Sequence, residues 1–199
     1  MESSNYLYFA YGSNLNPERM RHRIPEARPV GRATLKGWRL VERLYADIEK
    51  SRGGSVDGVL YLVTPTELRR LDAYEGFPHV YDCIMLSVHA ELMGNRTTRY
   101  RVPAFTYAMT ENTRRERDGK PYPEDYRLIC SDGAQWHGIR DAFCRKGDPP
   151  FSHTLARRLL FPPVQKIPTW ADVDALAAKR VAGAAGNAPK KGAKESTRK

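Results

Sequence analysis

Two places in this 199-residue chain combine residue types and spacing that could do chemistry. One is Glu75, in Tyr74-Glu75-Gly76. The other is the stretch Tyr8-Phe9-Ala10-Tyr11-Gly12-Ser13-Asn14-Leu15. Glu75 falls in the last turn of an expected helix, where its carboxylate faces the negative end of the helix dipole. Tyr74, Phe77 and Tyr81 would take water away from it, and both effects raise a carboxyl pKa. A carboxylate held in that way acts as a base near neutral pH. Read by itself, Glu75 is also an ordinary surface carboxylate, solvated or paired with an arginine.

The stretch from Tyr8 to Leu15 begins as a strand and ends as a loop. Residues 5 to 10 carry the apolar and aromatic pattern of a sheet-core strand, and Gly12, Ser13, Asn14 and Pro17 then mark a sharp strand-to-helix turn. Gly12 can take backbone angles closed to other residues. Ser13 or Asn14 can cap the next helix, and Pro17 suits its first turn, with the helix running to Arg23. Such a turn gathers backbone N–H groups, the Ser13 hydroxyl and the Asn14 amide in one place, a setting for a carboxylate or a developing oxyanion. A single glycine loop is equally an ordinary capped turn.

The elements that must position these groups follow from patterning. Thr64-Pro65-Thr66-Glu67 is a capping-box start for the helix that ends near Gly76. Before it come one or two short strands over Gly31–Val41 with a bend at Gly37 and Trp38, Leu40 and Leu35 toward the core. A short strand at Tyr45–Ile48, a polar loop from Glu49 to Asp57 and a buried strand from Val56 to Thr64 follow. After the helix, strands are expected over Val80–Leu92 and Thr98–Met109, joined by a turn at Gly94-Asn95. A polar loop over Glu111–Lys120 then leads to a capped helix from Pro123 that turns Tyr126, Ile129 and Cys130 to one face. A last helix over Trp170–Val181, capped by Thr169, precedes a Gly, Ala, Lys and Pro tail expected to be disordered.

Composition bounds the rest. With 41% hydrophobic residues the chain fits one domain, here taken as residues 1–182 followed by the tail 183–199. Neither a membrane-length apolar run nor a signal peptide at Met1–Asn5 is visible, so a cytoplasmic protein is expected. Cys83, Cys130 and Cys144 read as reduced thiols, with Cys130 and Cys144 buried. Cys130 and His137 lack the signature of a nucleophilic pair. His22, His79, His89, His137 and His153 show no metal-ligand spacing, so no metal is assigned. The net charge of +10 resides in part in the tail, where Lys190, Lys191, Lys194, Arg198 and Lys199 face only Glu195. A nucleic acid is a possible partner of such a tail, although no aromatic residues alternate with its charges.

These residues together resemble the γ-glutamylcyclotransferase family. Tyr8–Leu15 looks like the family's YFAYGSNL substrate loop, and Leu71-Asp72-Ala73-Tyr74-Glu75-Gly76 like its L-D-x-x-E-G segment, in which the glutamate is the catalytic acid/base. Ala104–Thr110 is similar to the strand that follows. Pro123-Glu124-Asp125-Tyr126, with Ile129-Cys130 and Gly133-Ala134, is similar to a late helix whose tyrosine lies at the substrate. The resemblance implies an α+β fold, a small mixed β-barrel with helices packed around it, and a cavity at its mouth. It implies release of 5-oxoproline from γ-glutamyl amino acids, with Glu75 catalytic, Tyr8 to Leu15 and Tyr126 binding substrate, and no cofactor. Leu44-Tyr45 stand where the family has a Gly-Gly pair, which leaves γ-glutamyl amines as alternative substrates. A catalytically inactive module binding an anionic partner is the other alternative, and the oligomeric state, monomer or homodimer, is open.

Overall fold

A computed structural model describes residues 5–92, 99–140 and 142–146. Five strands form a closed barrel: β1 (Tyr6–Ala10), β2 (Arg28–Arg43), β3 (Tyr45–Val63), β4 (Tyr81–Leu92) and β5 (Arg99–Met109), in the order β1-β3-β2-β4-β5. The neighbours are antiparallel except β1 and β5, which close the barrel in parallel through Tyr8 and Phe105. Closure leaves no free edge in the sheet. Four α-helices accompany the strands: α1 (Pro17–Arg23), α2 (Pro65–Glu75), α3 (Glu111–Arg117) and α4 (Glu124–His137). The expected α+β barrel is the observed one.

All five residues of β1 are buried, because the strand is covered on both faces. Alternation still separates its side chains. Tyr8 meets the rings of Tyr61 and Tyr107, whereas Phe9 turns the other way, toward Tyr11 and the backbone at Gly58. That opposition decides which residues of the stretch can reach a ligand.

Three expectations about elements need correction. Residues 28–43 form a single 16-residue strand rather than one or two short ones; Gly37 (φ +80°) absorbs a register shift against β3 without breaking it. Glu49 to Asp57 is not a loop but the middle of β3. Glu49, Lys50 and Ser55 to Asp57 pair with β2 on either side of the register shift that passes over residues 51–54, and Arg39 stands directly opposite Glu49 and donates to it. Glu111 to Lys120 is not an open loop either, since Thr110 caps α3 by accepting from the Thr113 N–H at 3.3 Å.

A buried charge cluster ties these parts together. Asp47 is fully buried and accepts from Arg43 Nη1 at 2.8 Å, Arg114 Nε at 2.8 Å and the Met109 N–H at 2.8 Å. One carboxylate thus joins β2, β3, β5 and α3, and both of its oxygens are satisfied, as a buried charge requires. Cys130 is buried as expected, but Cys144 is exposed, because only Phe143 of that segment inserts into the core. The expected turn at Gly94-Asn95, the helix over 170–181, and the tail lie outside the described residues. No helix among the described residues is long and apolar enough to cross a membrane.

Candidate active site

Glu75 reaches its place through the two ends of α2. At the N-terminus Thr64 Oγ1 accepts from Glu67 N at 3.2 Å, while Glu67 Oε2 accepts from Thr64 N at 2.7 Å, which completes the expected capping box. At the C-terminus Gly76 adopts the left-handed conformation (φ +66°) and turns the chain away toward β4. Asp72, one turn before Glu75, accepts from the Tyr107 hydroxyl at 2.8 Å, so the helix is keyed to β5. The glutamate therefore stands on a helix fixed at both ends.

The loop after β1 is a short 3-10 turn over Ser13–Leu15, closed by Leu15 N donating to Gly12 O at 2.9 Å. The N–H groups of Ser13 and Asn14 precede that first bond and have no carbonyl within the turn. Neither Ser13 nor Asn14 caps α1. Asn16 does so, its side chain accepting from Glu18 N and Arg19 N at 3.0 and 3.1 Å. This corrects the expected cap and leaves the Asn14 amide for other work. Gly12 adopts φ −117° and ψ −136°, outside the left-handed region. What calls for glycine is crowding: a Cβ here would stand 3.0 Å from Ala46 Cβ and 3.1 Å from the Tyr126 hydroxyl.

Loop and glutamate meet. Tyr8, Tyr11, Gly12, Ser13, Asn14 and Glu75 line one cavity of ≈ 30 Å³ together with Ala46, Tyr81, Tyr107 and Tyr126. Asn14 Nδ2 donates to Glu75 Oε1 at 3.0 Å and to the Tyr8 hydroxyl at 2.7 Å. The Tyr126 hydroxyl accepts from the Ala46 N–H at 3.0 Å, which leaves its own proton to be donated. Tyr81 donates to the Ala46 carbonyl at 3.0 Å, so both ends of that residue's backbone are held. Phe9, Ala10 and Leu15, expected at the substrate, do not line the cavity. All three are buried.

The surround of Glu75 is not the apolar one expected. Tyr74 is 55% exposed and faces outward. The carboxylate instead carries a cation: Arg23 Nη1, in the last turn of α1, lies 2.5 Å from Glu75 Oε1 and 2.9 Å from Asn14 Oδ1. The guanidinium rests on the Tyr74 ring, 5.0 Å from its centroid. The sequence marked Arg23 only as the end of the first helix, because nothing in spacing shows that α1 and α2 converge.

The phenols around the cavity stay neutral at physiological pH. Burial pushes Tyr8 up, assisted by the nearby Glu75 charge, and burial likewise raises Tyr11, Tyr81 and Tyr126. They can give and take hydrogen bonds but not act as bases. Glu75 is the one carboxylate among the lining residues. No group of three His, Cys, Asp or Glu side chains suited to a metal occurs among the described residues.

Residues 8–128 match the family described as gamma-glutamyl cyclotransferase, AIG2-like. The chain belongs to that family. It is 30% identical over 158 residues to a mouse gamma-glutamylcyclotransferase, covering 73% of this chain and 78% of the mouse protein. Its fold is similar to that of an uncharacterized human protein (TM-score 0.60, 23% identity, 87% of this chain and 98% of the other). It is also similar to a structure of a gamma-glutamyl cyclotransferase (TM-score 0.56, 21% identity, 88% and 99%). Membership places the L-D-x-x-E-G helix and the glycine loop of this γ-glutamylcyclotransferase-family chain within the matched region.

Proposed function

We propose that this protein is a γ-glutamylcyclotransferase that releases 5-oxoproline from γ-glutamyl amino acids, with Glu75 as general acid/base. The observation that carries the reading is that Glu75 and the Gly12-Ser13-Asn14 turn border one small cavity, bridged by the Asn14 amide at 3.0 Å. The chemistry needs both. At neutral pH the α-amine of a γ-glutamyl group is an ammonium with no lone pair to attack, and Glu75 takes its proton.

The freed nitrogen then attacks the γ-carbonyl carbon of the same glutamyl chain, closing a five-membered ring. Nucleophile and electrophile already share one molecule, so the site has only to hold the folded conformer, and effective molarity supplies much of the rate. Negative charge develops on the γ-oxygen. We read the N–H groups of Ser13 and Asn14, which have no carbonyl partner within their turn, and the Tyr126 hydroxyl as the donors that receive it. Collapse of the intermediate breaks the bond to the leaving nitrogen, which takes the proton back from Glu75, and the ring nitrogen passes its second proton to the released amine, leaving a neutral lactam. Products are 5-oxoproline and an amino acid. No step asks for a cofactor.

On the leaving-group side, the glycine pair of the family pattern is replaced. Leu44 adopts φ +61° at the β2–β3 turn, and Tyr45 sets its ring edge-on to Tyr126 at 4.9 Å, with Arg117 over its other side at 5.4 Å. This aromatic wall is next to the cavity and shapes what leaves.

The test is 5-oxoproline release from a panel of γ-glutamyl amino acids, γ-glutamyl amines and glutathione. Glu75→Gln is expected to lower kcat by about 100-fold to 10,000-fold while the far-UV circular dichroism is kept. Absence of turnover across the panel by folded wild-type protein would remove the proposal.

A further inference from the structure

Arg23 and Glu75 form a partly buried pair of opposite charges, 2.5 Å apart, with side chains only 11% and 16% exposed. Each half keeps unused capacity. Arg23 Nε and Nη2 have no hydrogen-bond partner among the described residues, and neither does Glu75 Oε2. The cavity beside them has room for about one or two water molecules and none for a glutamyl group. A ligand therefore enters only by opening something, and a side-chain ion pair opens without moving the barrel.

The reaction read above adds a charge requirement. Glu75 must receive an ammonium, yet in the closed site its Oε1 is already matched by a guanidinium. An ammonium brought there alone would place two cations on one carboxylate. A γ-glutamyl group does not bring the ammonium alone, since its α-carbon carries an ammonium and a carboxylate together. The Arg23–Glu75 pair is the mirror image of that zwitterion.

We propose that Arg23 is the residue that reads the α-carboxylate of the γ-glutamyl substrate, and that binding occurs by exchange of ion pairs. The substrate carboxylate takes the guanidinium through its free Nε and Nη2 face, where planar two-point contact is available. The substrate ammonium takes Glu75. Two pairs replace one pair, no partly buried charge is left alone, and Glu75 is released from Arg23 only when the group it must deprotonate has arrived. The Tyr74 ring beneath the guanidinium and the Asn14 carbonyl oxygen at 2.9 Å steady Arg23 in both states. The inference rests on the cyclotransferase reading and names how that site selects its substrate.

The experiment compares a γ-glutamyl amino acid with the same compound carrying an α-carboxamide, which keeps the ammonium and loses the carboxylate. Wild-type protein is expected to prefer the carboxylate by about 100-fold or more in kcat/KM. Arg23→Gln is expected to lose that preference, falling by about 100-fold on the carboxylate substrate and only a few-fold on the carboxamide. Arg23→Lys, which keeps the charge and loses the fork, should fall between. Equal turnover of the two compounds by wild type overturns the inference without use of any variant. A preference that survives intact in folded Arg23→Gln also overturns it, because the carboxylate is then read elsewhere, the loop amides being the other donors. Turnover of neither compound by wild type overturns the cyclotransferase reading itself, and this inference with it.

Discussion

Among the residues of the site, Asn14 does the most joining. Its amide nitrogen spans Tyr8 and Glu75 while its oxygen takes Arg23, so three elements share one side chain that has no freedom left to flip. Gly12 is the residue whose smallness is needed. A methyl group there would press on Ala46 and on the Tyr126 hydroxyl at 3.0 and 3.1 Å, and the phenol is the more easily displaced. Gly12→Ala is therefore expected to lower kcat/KM for 5-oxoproline release by about tenfold to a hundredfold, through misplacement of Tyr126. Its melting temperature should shift by only a few degrees. Steady-state kinetics beside a thermal melt checks this. Unchanged turnover would show that the close approach has no catalytic consequence.

At the scale of elements, α4 is what presses the glycine turn into place. A Cβ on Gly133 would lie 2.3 Å from Asn16 N and 2.4 Å from Leu15 C, contacts with backbone that cannot yield as a side chain does. Gly138, at the C-cap of the same helix (φ +61°), has open space around it. The two glycines therefore predict different costs for one substitution. Gly133→Ala should destabilise by about 3 kcal/mol through overpacking. Gly138→Ala should cost about 1 kcal/mol, through backbone strain alone. Urea unfolding midpoints of the two variants decide it, and equal shifts would contradict the packing seen between α4 and the turn.

For the whole molecule, the pH response is carried by a histidine outside the cavity. Burial holds His137 down at about 4, against an ordinary value of 6.5, with a hydrogen bond to the Leu15 backbone acting in the opposite direction. The unfolded chain therefore binds a proton in a range where the folded one does not. His137 costs no stability above pH 6.5, and stability falls as pH drops from 6.5 toward 4, by up to about 3 kcal/mol. Thermal melts across that range should show this slope, and His137→Gln should flatten it. A slope identical in the variant would assign the effect to other groups.

How much of this was legible in the sequence varies with the range of the interaction. The capping box at Thr64 and Glu67, helix α1 from Pro17 to Arg23 and the glycine stop at Gly76 are encoded within a few residues, and they stand where local chemistry puts them. Resemblance of spaced motifs gave the barrel and paired Glu75 with the glycine loop before any coordinates. The misread segments share a cause. Residues 49–57 and 111–117 are polar enough to look like loops, but cross-strand partners at Glu49, Lys50 and Ser55 to Asp57 and a threonine cap, respectively, supply what their hydrophobicity does not.

The sequence by itself determined the local signals, meaning caps, turns and strand runs, and through its motifs the family, because each depends on neighbours along the chain. Only the tertiary structure decided that Arg23 meets Glu75, that Tyr126 crowds Gly12, and that Phe9, Ala10 and Leu15 stay out of the cavity lining. Those facts depend on how helices and barrel close upon one another. Residues 52 positions apart become ion partners only through packing that no spacing records.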